Sequence, residues 1–494
     1  MEALVNQLNS FIWSNALVYL CLAAGLFYTI VTKAVQIRYF PTMWKLLFSG
    51  KGSASGISSF QALTVSLSGR VGTGNIAGVA TAIGLGGPGA IFWMWVMGML
   101  GAATSFIECT LGQLYKEKIG GEYRGGPAFY LEGALGQRWL GILFAIATII
   151  ATAALLPTVQ SNSIGAAATM AFETPIAEQG TTLWIVAAVM ALLLAMIIFG
   201  GIKRIAMVTN VLVPFMAFAY IAIAIVIILI NMEKVPGMFG TILSDAFSPM
   251  AGVGAAIGWG VRRGIYSNEA GQGSGPHAAA AAEVDHPAKQ GLVQSLSIYI
   301  DTLFICTATA LIILLTDSFN VVGADGSLLI QNIAADTSAR TPAFTQLGIA
   351  SVFPNVGDWF IALALFFFAF TTVLAYYYIA ETNLVYLLSR LKGPERFTRF
   401  FHTALKCVII AAVVYGTVNV ASLAWNLGDL GVGIMAWLNI VGILLIYLAR
   451  KPALKTLKHF ESLTQNDDLN DSRLAEFRAK EIGVSDPTNF WNQR

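Results

Sequence analysis

"SLSGRVGTGNIAG", residues 66–78, lies in the middle of a segment that is otherwise long and apolar enough to span a bilayer. Each of its four glycines weakens a helix by up to about 1 kcal/mol relative to alanine. Its arginine would cost about 2.5–3.5 kcal/mol at the centre of a membrane on insertion scales. This composition predicts a helix that is interrupted in mid-membrane, where the freed backbone groups line a site.

The composition of the whole chain supports a membrane location for this stretch. The protein has 494 residues, of which 56% are hydrophobic and only 11% are charged, whereas a soluble domain carries about 25% charged residues. Apolar runs of about 20 residues recur between short polar loops, which predicts an all-α, polytopic membrane protein with about eleven transmembrane helices. The predicted spans are 12–32, 58–84, 89–115, 139–170, 182–200, 205–231, 247–282, 290–316, 356–389, 403–422 and 430–449.

Basic residues predict the orientation of these spans. With an odd number of spans the two termini lie on opposite sides of the membrane. If the N-terminus is outside, 24 of the 29 lysines and arginines fall in cytoplasmic segments, and only Lys234 and Arg340 fall outside. Because cytoplasmic loops are enriched in lysine and arginine, we expect the N-terminus outside and the C-terminus in the cytoplasm.

Several classes of protein are disfavoured by the sequence. The net charge is +2 with no basic cluster, so nucleic acid is not an expected partner. The four cysteines lie within predicted spans and show no zinc or haem spacing. Neither a P-loop nor a nucleophile motif is present. We therefore expect neither an enzyme nor a bound cofactor. A passive ion channel stays open as an alternative, although no selectivity ring is evident.

A second interrupted span matches the first. The seventh span contains "GWGVRRGIYSNEAGQGSGPH", residues 258–277. Without the first span, ten spans remain, and the two interruptions open the first and the sixth of them. This arrangement predicts the five-plus-five inverted repeat of LeuT-like transporters, with two discontinuous helices. Packing of small residues between helices is the simpler explanation for one glycine-rich span, but two at corresponding positions favour true breaks.

The repeat divides the chain into four predicted parts. Residues 1–57 form an additional helix and a cytoplasmic loop, and residues 58–231 form the first repeat of five helices. The second repeat covers 232–449 and includes an extracellular segment, 317–355. Residues 450–494 form a polar cytoplasmic tail in which no chemistry is visible.

The two breaks predict the kind of ligand. The half-helix that begins near Gly74 directs its N-terminal amides at the break, which suits a carboxylate. The freed carbonyls of the preceding half-helix suit a cation or an ammonium group. A zwitterion satisfies both.

At these residues the chain resembles the alanine or glycine:cation symporters, also called the sodium:alanine symporter family. The resemblance is carried by "GRVGTGNIAGVATAIGLGGPGAIFWMW" (69–95), "GGIKRIA" (200–206), "RRGIYSNEAGQGS" (262–274) and "FAFTT" (368–372), and extends over nearly the whole chain. It implies a symporter of the bacterial inner membrane that takes up alanine or glycine with Na⁺ by alternating access. The implied partners are a small neutral amino acid, a sodium ion and membrane lipid.

The resemblance also implies the site residues. The amides of Thr73 and Gly74, with Asn75, would hold the substrate carboxylate. Carbonyl groups around Gly264, Ile265 and Tyr266 would accept hydrogen bonds from its ammonium group. Other residues expected to line the substrate pocket are Gln160, Thr372 and Tyr376. The family usually has Gly-Trp where this chain has Ala375 and Tyr376, a difference that bears on side-chain selectivity.

A sodium site is implied beside the substrate. Its expected ligands are Ser68, Val71, Phe368, Thr371 and Thr372. Five oxygens without formal charge suit a weakly held monovalent ion, whereas a tight calcium site would require carboxylates. Proton coupling is the nearest alternative.

Several of these residues could instead have a purely structural role. Gln160 could bridge two helices, and the two threonines could bond back to their own helix. Intramembrane charges are costly, so we expect Arg70, Arg262 and Arg263 to face a vestibule or to pair with Glu269, Glu108 or a helix end. Their expected role is that of a gate or a brace.

Overall fold

The computed structural model describes residues 2–48, 52–199, 201–247, 252–354, 356–391, 394–464, 469 and 472–492. Within these residues, nine helical segments are long and apolar enough to cross a membrane. Two further segments, 59–86 and 253–281, are helical but interrupted. Together they account for the eleven predicted crossings, and the chain is an all-α, multi-pass membrane protein as expected.

The helices are numbered in chain order. Those before the second interrupted segment are α1 (Glu2–Ile12), α2 (Asn15–Val31), α3 (Val35–Arg38), α4 (Phe40–Leu46), α5 (Ser59–Arg70), α6 (Val79–Gly86), α7 (Ala90–Leu114), α8 (Pro127–Leu135), α9 (Arg138–Ile150), α10 (Leu156–Ala171), α11 (Gln179–Ile198), α12 (Gly201–Ile230) and α13 (Val235–Phe247). Those that follow are α14 (Val253–Asn268), α15 (Gly275–Ala281), α16 (Pro287–Ile298), α17 (Thr307–Leu315), α18 (Ala343–Ala350), α19 (Gly357–Leu391), α20 (Glu395–Val418), α21 (Ala421–Arg450), α22 (Pro452–Leu463) and α23 (Ser472–Ala475).

Short irregular elements join these helices. The π-helical turns are Gly74–Gly78, Ala151–Leu155 and Tyr299–Cys306, and the 3-10 turns are Ile176–Glu178, Met232–Lys234 and Ala479–Ile482. Two antiparallel hairpins pair β1 (Glu117–Ile119) with β2 (Glu122–Arg124) and β3 (Asn320–Val322) with β4 (Leu328–Gln331). The sequence did not predict these hairpins, because strands of three or four residues carry almost no periodic signal.

Several helix boundaries differ from the predicted spans. The last two crossings begin at Glu395 and Ala421 rather than at 403 and 430. The first crossing is preceded by α1, and its apolar segment begins at Ala3 rather than at 12. The predictions followed apolarity, which marks the part of a helix that lies in hydrocarbon, whereas helical hydrogen bonding continues through the polar turns at its ends.

The first interrupted segment leaves the helix after Arg70. Val71 has ψ 89°, outside the helical region, and the chain resumes helical geometry at Thr73 before the π-helical turn. We call residues 71–73 the first break. The Asn75 side chain caps it by accepting a hydrogen bond from the Gly72 amide at 2.8 Å. The expected interruption is therefore present.

The second interrupted segment leaves the helix at Asn268. Three residues of the following turn have positive φ, namely Glu269 (57°), Gly271 (82°) and Gly273 (83°), before α15 begins at Gly275. We call residues 269–274 the second break. It lies later than the expected carbonyl site, because residues 264–266 still belong to the last turns of α14.

The interrupted segments lie at the centre of the bundle. Most of α5, α6, α14 and α15 is buried, and α7 and α16 pack directly against them. At the periphery, α11 and α12 expose large apolar side chains such as Leu192, Phe215 and Phe218. A polar centre with an apolar exterior is the reverse of a soluble fold and places the site inside the membrane region.

The C-terminal segment folds against the bundle where α7 ends and α16 begins. Trp491 is fully buried, and its indole N–H donates to the Gln113 carbonyl at 2.9 Å. The Lys116 ammonium group lies over the rings of Tyr123 (4.4 Å) and Phe490 (5.0 Å). The tail was predicted only as a polar segment, but its aromatic residues anchor it to the membrane part.

Two stacked histidines join the tail to α16. The rings of His286 and His459 are inclined by 5°, and His286 Nε2 lies 3.2 Å from His459 Nδ1. His286 Nδ1 accepts from the Ala288 amide at the start of α16, so its proton is on Nε2 and is donated to His459. Each Nδ1 is then an acceptor, and protonation of either ring breaks one of these hydrogen bonds.

The surroundings of the pair also favour the neutral form. Burial lowers the pKa of His286 well below its usual value, with the neighbouring His459 and Lys289 adding to the effect, and burial also lowers the pKa of His459. The charged groups that face the pair from its own and adjoining elements are Asp285, Lys289, Arg473, Glu476, Arg478 and Glu481.

We therefore expect acid to loosen the tail. Docking lowers the pKa of both histidines, so the docked tail has its full stability above the unperturbed histidine pKa of about 6.5. As pH falls below that value, the equilibrium constant for docking decreases by up to about tenfold per pH unit for each histidine. Hydrogen exchange of residues 472–492 at pH 7.5 and 5.5 measures this, and His459→Phe should reduce the pH response to the contribution of His286, while His402→Phe leaves it unchanged. Equal protection at both pH values would contradict the expectation.

Candidate functional site

The first break touches two other crossings. The Thr73 amide donates to Gln160 Oε1 of α10 at 3.0 Å. A Cβ atom on Gly72 would lie 2.5 Å from Thr372 Oγ1 and 2.8 Å from Gln160 Oε1. Only glycine fits between α10 and α19 at this point, so the break brings its backbone directly against both helices.

The residues expected to bind sodium converge beside this contact. Thr372 Oγ1 lies 2.8 Å from the carbonyl oxygen of Ser68, 2.9 Å from that of Phe368 and 3.4 Å from that of Val71, and its single proton is donated to one of them at a time. Thr371 Oγ1 is 3.0 Å from the same Phe368 carbonyl. Three carbonyl and two hydroxyl oxygens from α5, the first break and α19 thus form one cluster, which we call the five-oxygen cluster. Its oxygens are neutral and of the kind that Na⁺ accepts, and the role in sodium binding stays a prediction.

A second polar cluster lies on the other side of the first break. The Asp301 carboxylate accepts from Asn75 Nδ2 at 2.7 Å and from Ser267 Oγ at 2.9 Å. The neighbouring Thr302 hydroxyl donates to it at 3.0 Å. This carboxylate therefore joins the first interrupted segment, α14 and the π-helical turn Tyr299–Cys306.

Sequence reasoning missed Asp301 and Ser267. The signal was available, because Asp301 is the single acidic residue of the predicted span 290–316 and an intramembrane carboxylate is a functional candidate by default. Asn75 was expected to face the substrate carboxylate. In the structure, its side-chain amide is bonded to Asp301 and its oxygen to the Gly72 amide.

Of the other residues expected to bind substrate, some lie near the first break and others do not. Gly74 packs against Ser267 and Tyr266, and Tyr376 lies beside Gln160 and Glu269. The Ile265 carbonyl accepts from the Glu269 amide at 2.9 Å and from Gln272 Nε2 at 2.6 Å. Gly264 lies against Met97 of α7. Gln160 therefore contacts the first break directly, Tyr266 packs against Gly74 just after it, and Tyr376 lies beside Gln160, whereas Gly264 faces another helix.

Aromatic and charged residues cover one side of the site. The Tyr266 ring packs on Trp425 with centroids 5.1 Å apart, and the Arg263 guanidinium lies 4.7 Å from the Trp425 ring. Arg263 and Arg262 both pair with Asp429 of α21, the latter at 2.6 Å. We call this group the Arg–Asp cover. It links α14 to α21 above the first break.

The observed partners of the arginines differ from the expected ones. Asp429 lies at the edge of a predicted span and was not considered as a partner. Arg70 bonds to Gln294 Oε1 at 3.4 Å and to the Ser297 hydroxyl rather than directly to Glu269 or Glu108. Two of the three arginines pair across helices with Asp429 rather than with the carboxylates that were considered, and a role as a gate or a brace stays a prediction.

The arrangement defines a class of protein. A buried, mid-membrane site built from two broken helices, with a neutral oxygen cluster on one side and a carboxylate on the other, is typical of secondary transporters. The fold agrees: the crystal structure of MhsT in complex with L-phenylalanine aligns with a TM-score of 0.56, covering 83% of this chain and 99% of MhsT at 12% identity. The chain thus has the LeuT fold.

The family follows from sequence comparison. Residues 1–473 match the Sodium:alanine symporter family, and the chain belongs to it. YrbD of Bacillus subtilis (strain 168) is 52% identical over 465 residues, which are 93% of each chain. The sodium/proton-dependent alanine carrier protein of Bacillus sp. (strain PS3) is 46% identical over 91% of this chain and 97% of its own. The sodium/alanine symporter AgcS of Methanococcus maripaludis is 37% identical over 90% and 94% respectively.

The contact at Gly72 generates a test of the site. Gly72→Ala should abolish substrate uptake into proteoliposomes, because the added methyl group cannot fit beside Thr372 and Gln160. Gly180→Ala, where a Cβ meets no atom within 4 Å, is the matched control and should keep full uptake. A Gly72→Ala protein that elutes as a monodisperse peak yet transports normally would show that the close approach has no role.

Proposed function

We propose that the protein is a sodium-coupled symporter of small neutral amino acids, alanine and glycine, that works by alternating access. The observation that carries this proposal is the convergence of the five-oxygen cluster and the Gln160–Thr73 contact on the same three residues of broken backbone. An ion bound on one side of the first break fixes the amides that a substrate meets on the other. Membership of the sodium:alanine symporter family and the alanine carriers among its relatives support the same substrate.

The substrate carboxylate binds, in this proposal, at the amides of Thr73 and Gly74. Gln160 Oε1 holds the Thr73 amide at 3.0 Å, so the carboxylate takes over that hydrogen bond and the Gln160 side chain turns to contact the substrate. The ammonium group lies toward the end of α14, beside the Tyr266 ring, because the Ile265 carbonyl already accepts hydrogen bonds from the Glu269 amide and from Gln272 Nε2. A zwitterion carries no net charge, so its binding to uncharged amides and carbonyls leaves the net charge of the membrane interior unchanged.

Sodium binds at the five-oxygen cluster. The Thr372 hydroxyl donates its proton to a carbonyl at present and turns that proton away when its oxygen coordinates the ion. The ion then links α5 to α19, which joins the first break to a helix of the other repeat. Asp301, with Asn75 and Ser267, is a second candidate for a coupling cation, and a carboxylate there accepts either Na⁺ or a proton.

Close packing near the first break supports a small substrate. A Cβ on Gly428 would lie 2.3 Å from Val159 and 3.2 Å from the Tyr266 hydroxyl, and a Cβ on Gly72 would lie 2.5 Å from Thr372. Because these contacts leave so little room, we expect a methyl group or a hydrogen atom to be the side chain that requires the least rearrangement.

Alternating access requires that one side opens while the other closes. The Arg–Asp cover closes the side toward the beginning of α21, and by the bias of basic residues this is the outer face of the bacterial inner membrane. The N-terminus is then outside and the tail is cytoplasmic. No covalent intermediate forms, since the sodium gradient supplies the driving force.

Coupling is tested by imposing gradients one at a time. An inward Na⁺ gradient should drive saturable uptake and counterflow of labelled alanine into proteoliposomes, and glycine should compete. A proton-coupled carrier would respond to an inward proton gradient instead. Flux that does not saturate would indicate a passive channel and would overturn the proposal.

Thr372→Val tests the position of the ion. Loss of its hydroxyl removes the contact with the Ser68 and Val71 carbonyls, and we expect the half-saturating Na⁺ concentration to rise about tenfold or more, as for loss of one ion ligand worth about 1.4 kcal/mol. Thr403→Val is the control, since Thr403 is exposed and bonds only to its own helix. Unchanged Na⁺ dependence in Thr372→Val would contradict a site at this cluster.

A further inference from the structure

A buried carboxylate outside the expected site holds the second break. Glu108 of α7 is fully buried, and its two oxygens accept from the amides of Gly271 and Gly273, each at 3.2 Å. Asn439 Nδ2 donates to the same carboxylate at 2.7 Å. Three N–H groups from two elements are therefore satisfied by one side chain.

The network continues into α21 and α8. Asn439 Nδ2 also lies 2.9 Å from the Gly271 carbonyl, so it bonds to the turn as well as to Glu108. The Tyr130 hydroxyl of α8 donates to Asn439 Oδ1. The second break is thus tied to three helices that lie outside the interrupted segment.

The turn that Glu108 holds acts directly on the substrate region. Gln272 lies between the two bonded glycines, and its side chain turns back to donate to the Ile265 carbonyl at 2.6 Å. Gly271 and Gly273 both have positive φ, and a Cβ on Gly273 would lie 2.5 Å from Pro127. The backbone on either side of Gln272 is therefore fixed, and with it the end of α14 next to the first break.

We propose that Glu108 is a positioning residue for substrate binding: by holding the amides of Gly271 and Gly273 it orients Gln272 and the last turn of α14 toward the substrate ammonium group. The inference rests on the proposed function, since it concerns the same pocket. The hydrogen bonds of Glu108 go to Gly271, Gly273 and Asn439, which belong neither to the five-oxygen cluster nor to the first break.

The chemistry requires a carboxylate at this position. An ionised carboxylate has two acceptor oxygens and no donor, which matches the three N–H groups that face it. A glutamine of the same shape has one acceptor oxygen and would direct its NH₂ group at a backbone N–H or at Asn439. One buried amide would lose its partner, and the turn would shift to satisfy it.

The experiment is a double-mutant cycle on alanine transport. Glu108→Gln and Gln272→Leu are each reconstituted, and the KM for alanine, the half-saturating Na⁺ concentration and the maximal rate per folded carrier are measured. We expect each variant to raise the KM for alanine at least tenfold and to leave the half-saturating Na⁺ concentration within about twofold of the unmutated protein. The double variant should match the single variants within about twofold rather than multiply their effects, because both act through one turn.

The same three measurements, made on a control variant, show which results would contradict the proposal. Glu233→Gln removes an exposed carboxylate and should leave all three values unchanged. A Glu108→Gln protein with normal alanine KM, with a lowered maximal rate alone, or with multiplied effects in the double variant would overturn the positioning role. Wild-type uptake that lacks Na⁺ dependence would instead refute the proposed function, so the two failures are distinguishable.

Discussion

The structure depends on one constraint, which is that backbone polar groups exposed inside a membrane must find partners. Two helices of this chain are broken in mid-bilayer, and each break leaves amides and carbonyls without helical hydrogen bonds. At the first break, Asn75 and Gln160 take up the amides of Gly72 and Thr73. At the second, the Glu108 carboxylate does so. A substrate with a carboxylate and an ammonium group can replace such partners, which is why we propose the first break as the binding site.

The same constraint explains the distribution of buried charge. The neutral oxygens of the five-oxygen cluster lie on one side of the first break and the Asp301 carboxylate lies on the other, each held by hydroxyl or amide groups from more than one helix. Toward one end of the bundle, Asp429 neutralises two neighbouring arginines. Charges of this kind are tolerated in a membrane only when paired or hydrogen-bonded.

Much of the site could be predicted from sequence, for identifiable reasons. Glycine-rich polar stretches in apolar spans are so unfavourable that they signal a break, and the motif resemblance assigned residues to it. Gln160, Thr372 and the carbonyl of Ser68 do meet at the first break. Asp301 could have been singled out as the one acidic residue of its predicted span, whereas Asp429, which lies just outside a predicted span, carried no such signal. Their partners, Ser267 and Arg263, are distant in sequence, so only the packing of helices reveals the pairs.

The sequence alone determined the membrane class, the number of crossings, the two interrupted segments and the family, since each depends on local composition or on an ordered motif. Tertiary structure decided where the second break begins, which side chains satisfy the freed amides, and that the tail docks through Trp491 and a histidine pair. The physical reason is the range of the interactions. Apolarity and helix propensity act over a few residues, whereas the hydrogen bonds that join helices at the site link residues from 34 to 304 positions apart, as in Ser267–Asp301 and Ser68–Thr372.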